Sequence, residues 1–250
     1  MFEIVCEKVS KVYESAGRTV RPLNELNVTI PAGRITSIIG ESGCGKTTFL
    51  RQIAGLEHPD SGVIRFDNHG GENRKPRVSV VFQEPRLFDW MTLEENISIA
   101  VRHLPEEERR AKCADILRLV GLEGAENSYP RQLSGGMAQR AGLARALVSE
   151  PDILLMDEAF SALDALTRRR VYNEFIRIHK ERPMTVVLVT HDVTEAVLLS
   201  SEVIRFAAGR VKSSYPVDLP YPRNLSSPGC AKLCETILSE FLMREKNHGI

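Results

Sequence analysis

The sequence predicts an α/β fold built on a mainly parallel sheet. Its 250 residues suffice for one large domain with a sizeable core. Short runs rich in β-branched residues alternate with stretches of helical character, and the later, more apolar runs each follow a helix. Because neighbouring parallel strands need long crossover connections, usually helices, we expect a parallel sheet covered by helices.

The first part of the chain, up to about residue 30, consists of successive strands and is predicted to form an antiparallel layer at one side. Strands are predicted at residues 2–9, 26–30, 34–39, 62–66, 78–82, 152–157, 185–190 and 202–206. Helices are predicted at residues 46–54, 106–119, 135–149, 166–180 and 194–199. The stretch SSYPVDLPYPRNLSSPG, residues 213–229, is predicted to be a connection interrupted by prolines.

A final amphipathic helix is expected over residues 230–242, since apolar side chains recur there at helical spacing. The predicted apolar face comprises Cys230, Leu233, Cys234, Ile237, Leu238 and Phe241. The two cysteines, one turn apart, are either metal ligands or core residues. With no histidine or second cysteine pair nearby, core packing is favoured.

Charge and cysteine content exclude several classes of protein. Lys and Arg number 33 and Asp and Glu number 33, so the broad positive charge of a nucleic-acid-binding protein is missing, and no nucleic-acid partner is expected. The basic runs ERR and TRRR are predicted to be solvated helix faces. Five scattered cysteines and the lack of an apolar signal region favour a reducing cytosol. No apolar run approaches the roughly 20 residues of a membrane span, so a membrane role requires a partner.

A glycine-rich loop, GESGCGKT, lies between the strand at 34–39 and the helix at 46–54, and it satisfies the pattern G-x-x-x-x-G-K-[ST]. Its backbone N–H groups and the helix N-terminus suit an anion, Lys46 suits terminal phosphates, and the Thr47 hydroxyl suits Mg²⁺. The loop residues expected to bind nucleotide are Gly40, Glu41, Ser42, Gly43, Cys44, Gly45, Lys46, Thr47 and Thr48. The Cys44 thiol is either reactive, with a lowered pKa, or a small space-filling group.

A pair of carboxylates, Asp157 and Glu158, ends the apolar strand of DILLMDEAFSALD. Neighbouring residues of a strand point to opposite faces. One of the two carboxylates is therefore expected to bind Mg²⁺, and its neighbour to orient and deprotonate a water molecule.

A second anion site is indicated by LSGGMAQR, where a Ser hydroxyl and two glycine N–H groups begin a helix. With this stretch the sequence resembles the ATP-binding cassette (ABC) ATPases. The resemblance implies a P-loop NTPase fold with a RecA-like core, an antiparallel β side layer and a helical subdomain. It also implies a homodimer that sandwiches ATP and Mg²⁺, each signature acting on the partner's nucleotide. The signature residues are Leu133, Ser134, Gly135, Gly136, Met137 and Gln139.

Other family positions match in chain order, and the resemblance implies that Asp157 binds Mg²⁺ and that Glu158 positions the attacking water. Tyr13 resembles the aromatic residue that stacks on adenine, and Gln83 the residue that touches Mg²⁺ and the attacking water. Ser161 and Asp164 resemble the dimer loop, and His191 the histidine that holds the γ-phosphate and the catalytic base. The resemblance implies an ATPase domain over residues 1–219, with a helical subdomain inserted at about 84–150, followed by a connection and helix at 220–250.

Within the family, a single cassette with a short helical insert disfavours coiled-coil, tandem and fused-exporter types. The stretches VVFQEPRLFDWMTLEENI and DEAFSALDALTR resemble the nitrate, sulfonate and taurine branch of bacterial importers. This resemblance implies a peripheral subunit at the cytoplasmic face of the inner membrane, bound to a permease and served indirectly by a periplasmic or lipoprotein solute-binding protein. Trp90 is either a core residue or part of the permease groove. The alternatives are a soluble, non-transport ABC ATPase and an importer for another small solute such as a pyrimidine precursor.

Overall fold

The computed structural model describes residues 1–15, 18–68, 74–161 and 163–245. The strands are β1 (Phe2–Ser15), β2 (Arg18–Ile30), β3 (Ile35–Ile39), β4 (Ser61–Asn68), β5 (Val78–Val81), β6 (Ile153–Asp157), β7 (Thr185–Val189), β8 (Glu202–Ala207) and β9 (Arg210–Pro216). The helices are α1 (Lys46–Ile53), α2 (Leu93–Ser98), α3 (Glu106–Leu119), α4 (Gly135–Leu147), α5 (Ala165–Glu181), α6 (Val193–Leu199) and α7 (Pro228–Glu245).

The main sheet has six strands in the order β5-β6-β7-β3-β8-β9. The first five are parallel to one another, as the alternation of strands and helices predicts. β3 and β7 are buried at every position. Their runs of Ile and Val suit strands that are covered on both faces.

A second, antiparallel sheet has the order β2-β1-β4. The predicted antiparallel layer is thus confirmed, but β4 joins it as well. Phe2, Ile4 and Leu26 from this layer pack with Phe49 of α1 and Val189 of β7 in one apolar cluster. The layer therefore covers the face of the main sheet on which α1 lies.

The prediction of a connection over residues 213–229 is wrong at its start. Ser213–Pro216 are the end of β9, which pairs antiparallel with β8 and forms the edge of the main sheet. Proline is tolerated at such an edge, because an outward N–H needs no strand partner. Tyr215 is buried while its neighbours in β9 are exposed. Exposure does alternate along β9, with Val211, Ser213 and Tyr215 less exposed than their neighbours, but the serines at 213 and 214 hide this alternation from a search for apolar residues.

Helices α2, α3 and α4 lie in the chain between β5 and β6 and pack into one apolar cluster with β6 and α5. Helix α2 is missing from the sequence-based assignment, although Thr92 and Glu95 form a capping box at its start. The three helices occupy the region expected for the helical subdomain. The division at residue 219 stays a prediction.

Helix α7 packs on α6 and β9 through Cys230, Cys234 and Ile237. The interpretation of the two cysteines as core residues is therefore confirmed. Leu238, predicted on the apolar face, is 47% exposed, so that assignment is wrong. Residues 246–250 of the predicted C-terminal region lie outside the described residues. Among the described helices, none is long and apolar enough to span a membrane.

Candidate nucleotide-binding site

The carboxyl ends of neighbouring parallel strands bring the predicted site residues to one edge of the main sheet. The glycine-rich loop follows β3, Asp157 ends β6, and His191 lies two residues beyond β7. Gln83 follows β5 at the same edge. Ligands of open α/β sheets bind outside the carboxyl ends of the strands, so the fold alone makes this edge the candidate site.

The loop wraps around the ammonium group of Lys46, the first residue of α1. Lys46 Nζ donates to the carbonyl oxygens of Gly40 and Glu41 at 2.8 and 2.9 Å. The side chain is only 8% exposed, whereas Glu41, Ser42 and Gly43 are exposed. A buried ammonium at a helix N-terminus concentrates positive charge beneath an open loop, as phosphate binding requires.

The loop backbone rests directly on the antiparallel layer. Gly45 has φ +106°, and a Cβ there would lie 2.0 Å from the carbonyl oxygen of Pro22 in β2. Gly43 has φ +77° with open space around it. Only glycine combines these backbone angles with so close an approach. Pro22 belongs to the site through this contact, and no sequence pattern pointed to it.

Burial and packing favour the space-filling interpretation of Cys44 over the reactive one. The side chain is buried, and burial raises the pKa of the Cys44 thiol, while the positive charge of Lys46 acts in the opposite direction with the smaller effect. A Cβ at Gly40 would lie 2.7 Å from Cys44 Sγ. The sulfur therefore fills the space behind the loop, which was the alternative interpretation.

Two oxygen donors predicted for Mg²⁺ lie next to each other, with Thr47 Oγ1 3.5 Å from Asp157 Oδ1. Burial and the negative charge of Glu158 both raise the pKa of Asp157. A divalent cation would relieve this cost. No group of three His, Cys, Asp or Glu side chains forms a metal cage within the described residues.

Glu158 and His191 form a pair at the entrance of the site. His191 Nδ1 lies 3.2 Å from Glu158 Oε2, with side chains 65% and 27% exposed respectively. Glu158 has φ +48°, which is uncommon for a residue other than glycine, and its N–H donates to the carbonyl oxygen of Val189 at 2.9 Å. Such backbone strain, of about 1–3 kcal/mol, clusters at functional sites. It aims the carboxylate away from the line of β6.

Ser161 joins Gln83 to this pair. Its hydroxyl donates to the carbonyl oxygen of Glu158 at 2.9 Å and accepts from Gln83 Nε2 at 3.3 Å. The predicted Gln83, Glu158, Ser161 and His191 are thus brought together in one connected group. Whether these residues act as the resemblance implies stays a prediction.

Tyr13 lies beside the loop near the end of β1 and is 38% exposed. Its hydroxyl donates to a carboxylate oxygen of Glu57. Burial and this hydrogen bond raise the pKa of Tyr13, and a hydrogen bond with Thr48 of α1 opposes them. The ring is thereby held next to α1 with one part open to solvent. Glu57, which fixes the tyrosine, was not singled out in the sequence.

The signature stretch begins α4. Ser134 caps the helix, accepting from the N–H of Met137 at 3.3 Å, and Gly135 is exposed beside it. A Cβ at Gly136 would lie 2.4 Å from Thr167 Cγ2, so the signature turn and the start of α5 are in tight contact. Thr167, like Glu57, was missed.

The assignment of Gln139 to the surface that acts on a partner's nucleotide is wrong. Its side chain is 3% exposed and turns inward, with Nε2 3.5 Å from the carbonyl oxygen of Phe82. A buried amide cannot contact a second subunit. Helical spacing explains the difference, because five residues after Ser134 the chain has turned to the opposite part of the helix surface.

Asp164 of the predicted dimer loop caps α5, with Oδ1 accepting from the N–H groups of Leu166 and Thr167 at 3.1 and 3.0 Å. Hydrogen bonds with the Thr167 side chain and with these backbone groups lower the pKa of Asp164. Leu166, the second residue of the helix, is 78% exposed. The loop therefore presents a carboxylate and an apolar side chain to solvent.

Trp90 is not a core residue. It is 71% exposed and packs against Phe88, which is 38% exposed, with ring centroids 5.2 Å apart. Asn96 of α2 is fully buried and anchors the backbone of residues 88–91. Its side-chain amide donates to the carbonyl oxygens of Phe88 and Met91, at 3.1 Å each. The backbone that carries the Phe88 and Trp90 rings is thus held in place by hydrogen bonds, and both rings reach the surface.

Known proteins similar to this chain are ATP-binding cassettes. A profile of the family described as ABC transporter matches residues 23–161. The chain is 44% identical to the aliphatic sulfonates import ATP-binding protein SsuB of Bacillus licheniformis, over 88% of this chain and 86% of that protein. It is 42% identical to the bicarbonate transport ATP-binding protein CmpC of Synechococcus elongatus, over 88% of this chain and 34% of that longer protein.

Solved structures agree. The ATP-binding cassette MJ0796, in a dimeric post-hydrolysis state bound to ADP and Pi, is similar with a TM-score of 0.76 and 30% identity, over 87% of this chain and 100% of that chain. The resemblance inferred from the loop, the carboxylate pair and the signature, with its sulfonate branch, is confirmed. The chain belongs to the ABC transporter ATP-binding family and is an ATPase of that family.

Proposed function

We propose that this chain is the ATP-hydrolysing subunit of a bacterial importer for small anionic solutes, with aliphatic sulfonates as the first candidates. One observation carries the catalytic part of the proposal. Lys46, Thr47, Asp157, Glu158 and His191 lie at one sheet edge, where Thr47 Oγ1 is 3.5 Å from Asp157 Oδ1 and His191 Nδ1 is 3.2 Å from Glu158 Oε2. The relatives named for sulfonate and bicarbonate import support the transport part.

In this proposal the chain's own residues divide the work of phosphoryl transfer. Lys46 and the loop N–H groups hold the terminal phosphates in line for attack. Glu158 orients the attacking water and accepts its proton, while His191 keeps the carboxylate in place. Thr47, Asp157 and Gln83 would hold Mg²⁺, which would neutralise charge on the phosphates.

Two copies of the chain are proposed to close around two ATP molecules. The exposed Ser134 and Gly135 at the start of α4 offer a hydroxyl and free N–H groups without a lysine. Asp164 and Ser161 would lie on the same interface. Support comes from the similar cassette MJ0796, which is dimeric.

The membrane partner is proposed to dock on the aromatic pair Phe88 and Trp90. Two exposed rings on a fixed backbone suit a groove that receives a partner's helix. The chain would then work as a peripheral subunit at the cytoplasmic face of the inner membrane. A periplasmic or lipoprotein solute-binding protein would deliver cargo to the permease and not to this chain.

The catalytic assignment is tested with Glu158→Gln. Loss of the general base should lower the steady-state ATPase rate by about 10²–10⁴-fold while ATP binding persists. Analytical ultracentrifugation with Mg-ATP should show the variant as a stable dimer, because the nucleotide is no longer consumed. The matched control is Glu108→Gln, an exposed carboxylate on α3. Full turnover in Glu158→Gln would contradict the assignment.

The transport assignment is tested by co-purification of the membrane partner with tagged wild type, Trp90→Ala and Leu56→Ala. Leu56 is 63% exposed next to α1 and serves as the control. Trp90→Ala should lose the permease while Leu56→Ala retains it. Stimulation of the recovered complex by binding protein loaded with sulfonates, bicarbonate, nitrate or pyrimidine precursors then ranks the solutes. Wild type that recovers no membrane protein would instead support a non-transport ATPase.

A further inference from the structure

A cavity of about 820 Å³ runs along one side of α5, away from the glycine-rich loop. Its other walls are α6 and the segment of residues 221–225 before α7. Cavities of about 300–1,000 Å³ are typical of sites for small molecules. None of the residues predicted to bind nucleotide lines it.

The floor of the cavity is apolar. Tyr172 and Ile176 are one turn apart on α5 and face Leu198 of α6 across the cavity. Tyr172 is only 8% exposed and its hydroxyl donates to Glu195 Oε1 at 3.0 Å, so it offers a ligand only a small part of its ring, while Ile176 is half-buried. The apolar strip follows the helix axis, which suits an elongated hydrocarbon group.

The walls are strongly basic, although the whole chain has no formal net charge. The cationic residues that line the cavity are Arg168, Arg169, Arg177, Lys180 and Arg223, against a single carboxylate, Asp192. The basic run TRRR, predicted to be a solvated face, thus contributes two of its three arginines to a cavity wall. Charge of this kind favours an anionic ligand.

Most of these cations already have partners. Arg177 pairs with Glu181 at 3.2 Å, and Arg223 donates to carbonyl oxygens that include that of Val197 at 2.7 Å. In the described part of the chain, Arg169 forms no ion pair and is exposed. The ammonium of Lys180 lies 5.5 Å from the centre of the Tyr221 ring. Arg169 is therefore the cation most free to bind a ligand's acid group.

Arg168, beside it, connects the cavity to the nucleotide site. Its guanidinium donates to the carbonyl oxygen of Leu163, in the dimer loop, at 2.7 Å and lies 3.7 Å from Asp192 Oδ2. Asp192 follows His191 directly and caps α6. The Nε of Arg168 is buried without a partner. One side chain thus links the dimer loop to the turn that carries His191, and it retains a free donor.

We propose that this cavity binds an amphipathic organic anion, an acid group on an alkyl chain, and that binding slows ATP hydrolysis. The acid group would bind Arg169 and Arg168. At Arg168 it would compete with Asp192 and with the carbonyl oxygen of Leu163. The chain would lie on Tyr172 and Ile176. From Arg169 to Ile176 the helix rises about 10 Å, so a chain of roughly eight carbons fills the floor. The site goes beyond the proposed import function and does not depend on it.

Binding is measured by titration calorimetry with 1-octanesulfonate, below its micelle concentration, on the full chain without nucleotide. Shortening the alkyl chain from eight to five carbons should weaken binding by about fourfold per methylene. Sulfate and 1-octanol test the acid group and the chain separately, and each should bind at least tenfold more weakly. Equal binding of sulfate or of octanol would overturn the amphipathic assignment, and so would no octanesulfonate binding at millimolar concentration.

Arg169→Gln removes the free cation, and Arg170→Gln is the matched control, since Arg170 is the next residue of α5 but does not line the cavity. Arg169→Gln should weaken octanesulfonate binding at least tenfold, as expected for a charge-assisted hydrogen bond. Arg170→Gln should bind like the wild type. Equal losses in both variants, or in neither, would show that the anion binds elsewhere.

The regulatory part has its own readout. Saturating octanesulfonate should lower the ATPase rate of wild type and Arg170→Gln at least twofold, and inhibition of Arg169→Gln should need at least tenfold more ligand. The proposed inhibition acts by opposing ATP-driven closure of the dimer, so reciprocity of the two binding free energies requires that ATP weaken octanesulfonate binding in Glu158→Gln. Calorimetric binding without any change in ATPase rate would overturn the regulatory part. A chain that binds octanesulfonate but hydrolyses no ATP would refute the proposed function and leave the binding site standing.

Discussion

The contact between Gly136 and Thr167 makes a quantitative prediction for Gly136→Ala. The new Cβ would lie 2.4 Å from Thr167 Cγ2, about 1 Å inside ordinary contact. The start of α5 must then move away from the start of α4. Overpacking of this kind costs about 1–3 kcal/mol, of which the better helix propensity of alanine returns up to about 1 kcal/mol. At roughly 2–4 °C per kcal/mol, Tm should fall by several degrees.

The assay is thermal unfolding followed by circular dichroism, with two matched variants. Gly135→Ala should leave Tm unchanged or slightly raised, because no atom lies within 4 Å of its new Cβ. Thr167→Ser in the Gly136→Ala background removes the clashing methyl group and keeps the hydroxyl that bonds Asp164, so most of the loss should return. A Gly136→Ala protein as stable as wild type, or one that Thr167→Ser does not rescue, would refute the packing argument.

Three further predictions concern the buried groups of the site. Cys44 should react with maleimide only slowly at pH 7–8, and the rate should rise above the usual thiol pKa, because burial raises the pKa; fast labelling at neutral pH contradicts this. Burial likewise raises the pKa of Glu195, so the folded protein binds the Glu195 proton more tightly than the unfolded chain does. The free energy of unfolding therefore falls as the pH rises above the pKa that Glu195 has in the unfolded chain. Glu195→Gln should therefore raise Tm at pH 7.5 more than at pH 4.5, and an equal change at both values refutes the reasoning. Lys46→Ala should bind a fluorescent ATP analogue at least tenfold more weakly, and unchanged affinity would contradict the role of the ammonium.

Site residues could be predicted from the sequence wherever their position depends on the residues next to them in the chain. The loop, Asp157 and Glu158 lie next to strands that are apolar at nearly every position, so their place at the sheet edge followed from the order of elements. The antiparallel layer followed from successive strands without helices between them, and the packing of Cys230 and Cys234 from helical spacing and the lack of further metal ligands nearby.

What the sequence left open depends on contacts between distant segments. The burial of Gln139 depends on the carbonyl oxygen of Phe82, 57 residues earlier in the chain. The role of Arg168 depends on which helix faces α5, and a basic run has the same appearance on a free face and on a cavity wall. Nothing in the composition of the sequence indicates the positive φ of Glu158, whose N–H bonds to the carbonyl oxygen of Val189, 31 residues later in the chain.

The approach of Gly45 to Pro22 has a consequence for protein engineering. The loop packs against β2, an earlier strand of the other sheet, and the carbonyl oxygen of Pro22 occupies the place that a side chain at Gly45 would take. Transplanting residues 40–47 into another α/β scaffold would transfer the sequence of the motif without the β2 surface that fixes its conformation. A designer who wants this loop must therefore graft β2 with it, and a library that aims to retune nucleotide affinity should randomise Pro22 and its neighbours together with the glycines.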